Sequence, residues 1–111
     1  MNPPDSFRNI IATYNRHGWR LRRVLLRLET RATLDDAETD ALFGDADVRE
    51  AEIDALWFAR PSQGGRESWE LRLVADTPYA LFEMFEPDEA EEEREDVRRE
   101  MEAQLKAKVK R

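Results

Sequence analysis

The sequence predicts an α+β fold: a four-stranded mostly antiparallel sheet with an N-terminal helix, a short middle helix and a long C-terminal helix. Three patterns carry this prediction. An apolar repeat of helical period opens the chain, alternating apolar and polar residues recur between turn-forming segments, and a long charged stretch of helical spacing closes it. The chain has 111 residues, and we assign residues 1–111 to a single domain.

The first predicted helix spans residues 5–17. Its apolar residues recur at intervals of three and four, which places them on one helix face. Asp5 or Ser6 suits the N-cap, and Gly18 suits the left-handed residue that ends a helix. The residues of this face are Phe7, Ile10, Ile11 and Tyr14.

The segment 19–29 is predicted to be the first strand, and it contains an irregularity. Its alternation of apolar and polar residues shifts by one position at Arg22-Arg23. A β-bulge there would return the apolar residues on both sides of it to the same face of the sheet. The predicted core side then holds Trp19, Leu21, Val24, Leu26 and Leu28. The other side holds Arg20, Arg22, Arg23, Leu25, Arg27 and Glu29.

A short helix is expected next, over residues 33–43, followed by a connector with the sequence GDADVRE. Alternation then predicts three strands joined by segments rich in turn-forming residues. These strands are residues 51–60, 67–75 and 79–86. After Pro87, residues 88–110 form the predicted long charged C-terminal helix, with acidic residues at its start and lysines at its end, as the helix dipole favours. We expect the helices to pack on one face of the sheet.

Composition excludes several classes of function. The chain has no cysteine and one histidine, so disulfides, thiolate metal sites and thiol catalysis are ruled out, and His17 lacks partners at a catalytic spacing. No stretch matches a phosphate loop or a calcium loop. We therefore predict no enzyme activity, no catalytic residue, no metal site and no cofactor. The opening residues lack a signal-peptide pattern and no apolar run is membrane-length, so we expect a cytoplasmic protein that does not contact a membrane. The excess of arginine over lysine suggests a GC-rich bacterial genome.

The sequence HGWRLRRVLLRLET raises the possibility of a nucleic-acid interface. Its candidate basic patch is Arg20, Arg22, Arg23 and Arg27. Residues 1–34 carry a net charge of +5, but the whole chain carries −7, which opposes binding to a phosphate backbone. The competing interpretation is neutralisation within the protein, because the acidic segment 88–96 would be relieved of its own repulsion by docking near these arginines. Nucleic-acid binding therefore remains the alternative hypothesis.

The main functional hypothesis comes from apolar residues on both sides of the predicted sheet. Helices on one face would leave the opposite face open, and monomers rarely expose large apolar patches. We therefore predict a non-enzymatic interaction module that self-associates as a homodimer, with a protein partner as a further possibility. Two interpretations compete with it: a helix covers this face in the same chain, or Trp19, Trp57 and Trp69 line a small-molecule pocket. The predicted interface residues are Leu56, Phe58, Phe82 and Met84.

Overall fold

The computed structural model of the chain describes the backbone of residues 3–109 and the side chains of residues 4–109. The ends of the predicted domain, residues 1–2 and 110–111, lie outside the described residues. The elements in chain order are α1 (Pro3–Arg16), β1 (Arg20–Leu26), α2 (Leu28–Ala32), α3 (Asp36–Phe43), β2 (Asp47–Glu50), β3 (Ala55–Pro61), a 3-10 turn (Gln63–Gly65), β4 (Glu67–Leu73), β5 (Ala80–Phe85) and α4 (Glu91–Val109).

The α+β class is confirmed, but the sheet has five strands and is mixed. The strand order is β2-β1-β3-β4-β5, with β2 parallel to β1 and every other neighbouring pair antiparallel. The extra strand lies in the segment predicted to be a connector. Its four residues, DVRE, are mostly charged and exposed, so no apolar alternation marks them in the sequence.

The predicted β-bulge in the first strand is confirmed. Leu21 pairs with Phe58 and Arg23 pairs with Trp57, so Arg22 is the extra residue of β1. The bulge keeps Leu21, Val24 and Leu26 on one side of the sheet although they do not alternate strictly. The strand ends at Leu26, whereas we expected it to reach residue 29.

A buried carboxylate explains why β1 stops early. The side chain of Asp54 accepts hydrogen bonds from the Arg27 backbone N–H (2.8 Å) and from the Thr30 hydroxyl (2.6 Å). These bonds hold the chain in a turn that leads into α2 instead of continuing the strand. Leu28, expected in the core, is therefore 63 % exposed.

The middle helix, α3, begins at Asp36 instead of residue 33. Asp35 is its N-cap and forms a reciprocal capping box with Glu38: each side chain accepts a hydrogen bond from the backbone N–H of the other residue. The long helix α4 begins at Glu91, three residues later than predicted, and is described as far as Val109.

Helices cover both faces of the sheet, so the expectation that they pack on one face is wrong. The core on one side joins α4, through Met101 and Leu105, to Trp57 and Trp69 on β3 and β4. The core on the other side packs α1 and α3, through residues such as Phe7 and Phe43, against β1 and β3. The second predicted strand corresponds to β3. Its alternate residues face opposite layers, so it contributes side chains to both cores. This shared strand is why both sides of the sequence pattern are apolar.

Candidate functional site

The strand β5 is one of the two edges of the sheet, and half of its backbone groups point away from the protein. Leu73 N–H donates to the carbonyl of Tyr79 (2.8 Å), which fixes the alternation of the β4–β5 ladder. Continuing that alternation, residues 79, 81, 83 and 85 bond to β4. The outward groups therefore belong to Ala80, Phe82 and Met84, which we call the β5 edge.

The side chains of the β5 edge form the exposed apolar part of the sheet. Phe82 is 54 % exposed and Met84 is 36 % exposed, and Ala80 is exposed beside them. The ring of Trp19 lies edge-on to Phe82 (6.4 Å between centroids), and the Arg60 guanidinium lies 4.4 Å from the Trp19 ring centroid. The result is an apolar strip with a cation at its border.

The protection of this edge is slight. Native edge strands are usually shielded by lysines, prolines, bulges or a covering element. The six residues ALFEMF carry one charge, that of Glu83, and its carboxylate accepts a hydrogen bond from the Met84 N–H (3.1 Å). The N–H groups of Ala80 and Phe82 have no comparable hydrogen bond to a described side chain.

Two of the four predicted interface residues are in the wrong place for an interface. Leu56 and Phe58 are both 0 % exposed, because α1 and α3 cover this part of the sheet. Tyr14 of α1 stacks on Phe58, with 4.0 Å between ring centroids, and its hydroxyl donates to Glu70 of β4. The expectation of an open face around Leu56 and Phe58 is therefore wrong. Among the described residues of the sheet, the large apolar side chains that stay exposed are Phe82 and Met84.

The predicted basic patch does not form a single surface. Arg23 faces α4, where its two terminal nitrogens donate to Glu95 (2.6 and 3.1 Å). Arg27 pairs with Asp54 at the far end of the strand. Arg20 and Arg22 are exposed and form no ion pair with a described residue.

The docking of the acidic helix start onto the arginine strand is confirmed by these contacts. Glu95 also accepts a hydrogen bond from Arg98 (3.0 Å), and Arg49 of β2 lies within 3.6 Å of it. The hydrogen bond from Arg23 is the main cause that lowers the pKa of Glu95 to about 2. The hydrogen bond from Arg98 lowers the pKa of Glu91 as well.

The structure adds an arginine that sequence reasoning missed. Arg98 is 1 % exposed, and its guanidinium lies 3.9 Å from the Trp69 ring centroid while it also donates to Glu91 (2.6 Å). Together with its neighbours it lines a cleft of about 420 Å³ between the sheet and the first half of α4. We call this the arginine cleft, and its arginines are Arg22, Arg23, Arg49, Arg94 and Arg98. The cluster could not be recognised in the sequence, because its arginines lie far apart along the chain. The one local signal is the i, i+4 spacing of Arg94 and Arg98, which places them on one helix face.

The tryptophans and His17, which the sequence analysis also considered, do not form a binding or catalytic site among the described residues. The three tryptophans do not share a pocket, since Trp57 and Trp69 belong to the core under α4 and Trp19 packs on the other face. His17 lies at the end of α1 with Nδ1 2.9 Å from the Thr13 carbonyl. Across residues 3–109, no group of three His, Cys, Asp or Glu side chains could hold a metal ion, and no helix is both long and apolar enough to cross a membrane.

Comparisons with protein-family models, with curated proteins and with solved structures found no match to this chain.

Proposed function

We propose that this protein is a non-enzymatic interaction module that self-associates through the β5 edge. The observation that carries the proposal is an edge strand whose outward backbone groups and exposed apolar side chains belong to the same three residues, Ala80, Phe82 and Met84. An exposed, apolar and little-protected edge is a template for adding another strand.

A second copy of the chain is the partner that fits this edge best. Antiparallel pairing about a two-fold axis through Phe82 places Phe82 opposite Phe82 and Ala80 opposite Met84 of the second copy. In this register every outward group of the three residues meets a partner, and the same layers of both copies stay on the same side of a continuous sheet. Glu83 then lies opposite Leu81, so no like charges face each other.

Neighbouring registers are less favourable. Shifting the partner by two residues in one direction places Glu83 opposite Glu83, which is destabilising. Shifting it by two residues in the other direction places Met84 opposite Pro78, which has no N–H to donate. Shifts by one residue put the apolar side chains of the two copies on opposite faces. The edge therefore favours a single self-complementary pairing.

The test is the absolute mass in solution, measured by size-exclusion chromatography with light scattering over a range of protein concentrations. We expect a concentration-dependent dimer, because pairing along one short strand buries less area than the roughly 1,200–2,000 Å² of a stable interface. Raising the salt from about 0.1 M to about 1 M should strengthen it, since each copy carries a net charge of −7 and salt screens the repulsion between copies.

Three variants make the measurement specific. Phe82→Lys puts two like charges at the centre of the paired strands and should yield a monomer. Ala80→Pro removes an outward N–H without removing a bond to β4 and should weaken the dimer in the same direction. Leu28→Lys, at a residue that is 63 % exposed on α2, is the matched control and should leave the mass unchanged. A wild-type monomer at every concentration, or a dimer that survives in Phe82→Lys, would contradict the proposal.

The alternative prediction, a nucleic-acid interface, has less support from the side-chain contacts. Of its four arginines, Arg23 and Arg27 are engaged with Glu95 and Asp54. The two that remain, Arg20 and Arg22, supply few phosphate contacts against the net negative charge of the chain.

A further inference from the structure

The arginine cleft lies on the α4 side of the sheet, and its charge is not fully balanced within the protein. Four of its arginines each have a carboxylate partner: Arg23 with Glu95, Arg49 with Asp47, Arg94 with Glu67 and Arg98 with Glu91. Arg22 has none among the described residues. Its guanidinium lies 5.2 Å from the Trp69 ring centroid and is exposed to solvent.

The β-bulge places the side chain of Arg22 on the cleft side of the sheet. In a regular strand Arg22 and Arg23 would point to opposite faces, and one of them would lie on the α1 side. The extra residue in β1 lets both side chains line the same cleft. Bulges often redirect a side chain toward a functional position. Here the redirected side chain is that of Arg22, the arginine without a carboxylate partner among the described residues.

Two of the arginines that line the cleft each have one nitrogen that makes no hydrogen bond to a described residue. The Nε atoms of Arg94 and Arg98 are buried and have no hydrogen-bond partner in the described part of the chain. These two atoms are closed off from solvent, so an anion in the cleft would not contact them. It would stabilise the two guanidinium groups through their charge alone.

We propose that the arginine cleft binds a small phosphate-class anion, either inorganic phosphate or the phosphate group of a small monoester, with Arg22 as its main ligand. A guanidinium offers a planar fork of donors that matches an oxyanion. The lining arginines come from β1, β2 and α4, and the carboxylates of Asp47, Glu67 and Glu91 line the cleft beside them. The cleft volume of about 420 Å³ is in the range of small-molecule sites. The side chains of the other four arginines are already held in place by carboxylates. Anion binding would therefore cost little further side-chain entropy.

The test is isothermal titration calorimetry with inorganic phosphate and with phenyl phosphate, at constant ionic strength adjusted with chloride. We expect saturable binding of at least one of them to the full chain. Equal affinity for both would identify the free anion as sufficient, and tighter binding of phenyl phosphate would show that the cleft also contacts the body of a monoester. Absence of saturable binding for both probes would overturn the proposal.

Arg22→Gln should weaken binding about tenfold or more, which is the effect of losing one hydrogen bond to a charged group. Arg22→Lys should recover part of the affinity, because it restores the charge without the fork. Arg31→Gln is the matched control: it removes the same charge from an exposed arginine of α2 that does not line the cleft. If Arg22→Gln and Arg31→Gln weaken binding equally, the effect comes from net charge and the assignment of Arg22 is wrong. None of these outcomes depends on the β5 edge, so this proposal and the proposed dimer can fail separately.

Discussion

Glu95 joins α4 to β1 through Arg23, and replacing it with glutamine gives a quantitative test of the fold. Its two oxygens accept hydrogen bonds from Arg23 (2.6 and 3.1 Å) and from Arg98 (3.0 Å). The Arg23 and Arg98 side chains are 12 % and 2 % exposed, and that of Glu95 is 26 % exposed. Glu95→Gln keeps the shape of the side chain and removes its charge, so it isolates the electrostatic part of the contact.

The expected size of the effect follows from this burial. Removing one member of a fully buried ion pair costs about 3–5 kcal/mol, and removing one member of an exposed pair costs about 0–1 kcal/mol. Glu95 lies between these cases and glutamine retains one acceptor oxygen, so we expect a loss of about 2 kcal/mol in the free energy of unfolding. In urea this corresponds to a midpoint lower by roughly 1 M, given the denaturant dependence typical of small proteins.

The control is Asp96→Asn in the next position of the same helix. Asp96 pairs with Arg99 at 3.0 Å, but the two side chains are 75 % and 69 % exposed. Its replacement should cost about 0.5 kcal/mol or less. Urea unfolding of the three proteins at pH 7 and low salt makes the comparison, and a Glu95→Gln loss no larger than that of Asp96→Asn would refute the reasoning.

The same variant carries a pH signature. The folded protein holds the pKa of Glu95 at about 2, below its ordinary value of 4.5, so the charged form favours the folded state. This contribution is complete above pH 4.5 and is lost as the pH falls through the interval towards 2. The stability difference between wild type and Glu95→Gln should therefore be constant from pH 7 to about 5 and shrink below that. A difference that stays constant down to about pH 3 would mean that the ion pairs of Glu95 do not stabilise the fold.

Two further variants test other parts of the structure by the same unfolding measurement. Leu105→Ala removes a fully buried contact between α4 and the sheet and should cost about 2–5 kcal/mol; a loss below about 1 kcal/mol would show that α4 is not packed as described. Asp35→Ala removes the N-cap of α3 and should cost about 1 kcal/mol, whereas Asp36→Ala, at a position outside the capping box, should cost clearly less. Equal losses in this last pair would argue against the capping box.

Where the chain alternates clearly, the sequence was a sufficient guide. The two faces of β3 and of β5, the bulge at Arg22 and the long terminal helix all follow from the spacing of apolar residues. These features are local, because a strand or helix must present a periodic pattern to be half buried. The attraction between the arginine strand and the acidic start of α4 also follows from composition, since both segments carry excess charge of opposite sign.

What could not be predicted depends on contacts between distant residues. The strand β2 has four residues and pairs with β1 across an intervening pair of helices, so its own sequence carries no strand pattern. The turn after Leu26 is set by Asp54, which lies 27 positions after Arg27 in the chain. The candidate sites show the same limit. Burial of Leu56 and Phe58 depends on where α1 packs, and the arginine cleft exists only when α4 is in place.

The placement of α4 has a consequence for the order in which the protein can assemble during synthesis. Chains emerge and begin to fold from the N-terminal side, and α4 follows all five strands. The layer formed by α1, α3 and the sheet can be completed early, but Trp57, Trp69 and Leu71 face water until α4 arrives. In that interval one face of the nascent sheet is covered by helices and the other exposes apolar side chains to water. The carboxylates at the start of α4 emerge before its apolar residues, so the arginines can capture the helix electrostatically before Met101 and Leu105 close the second layer.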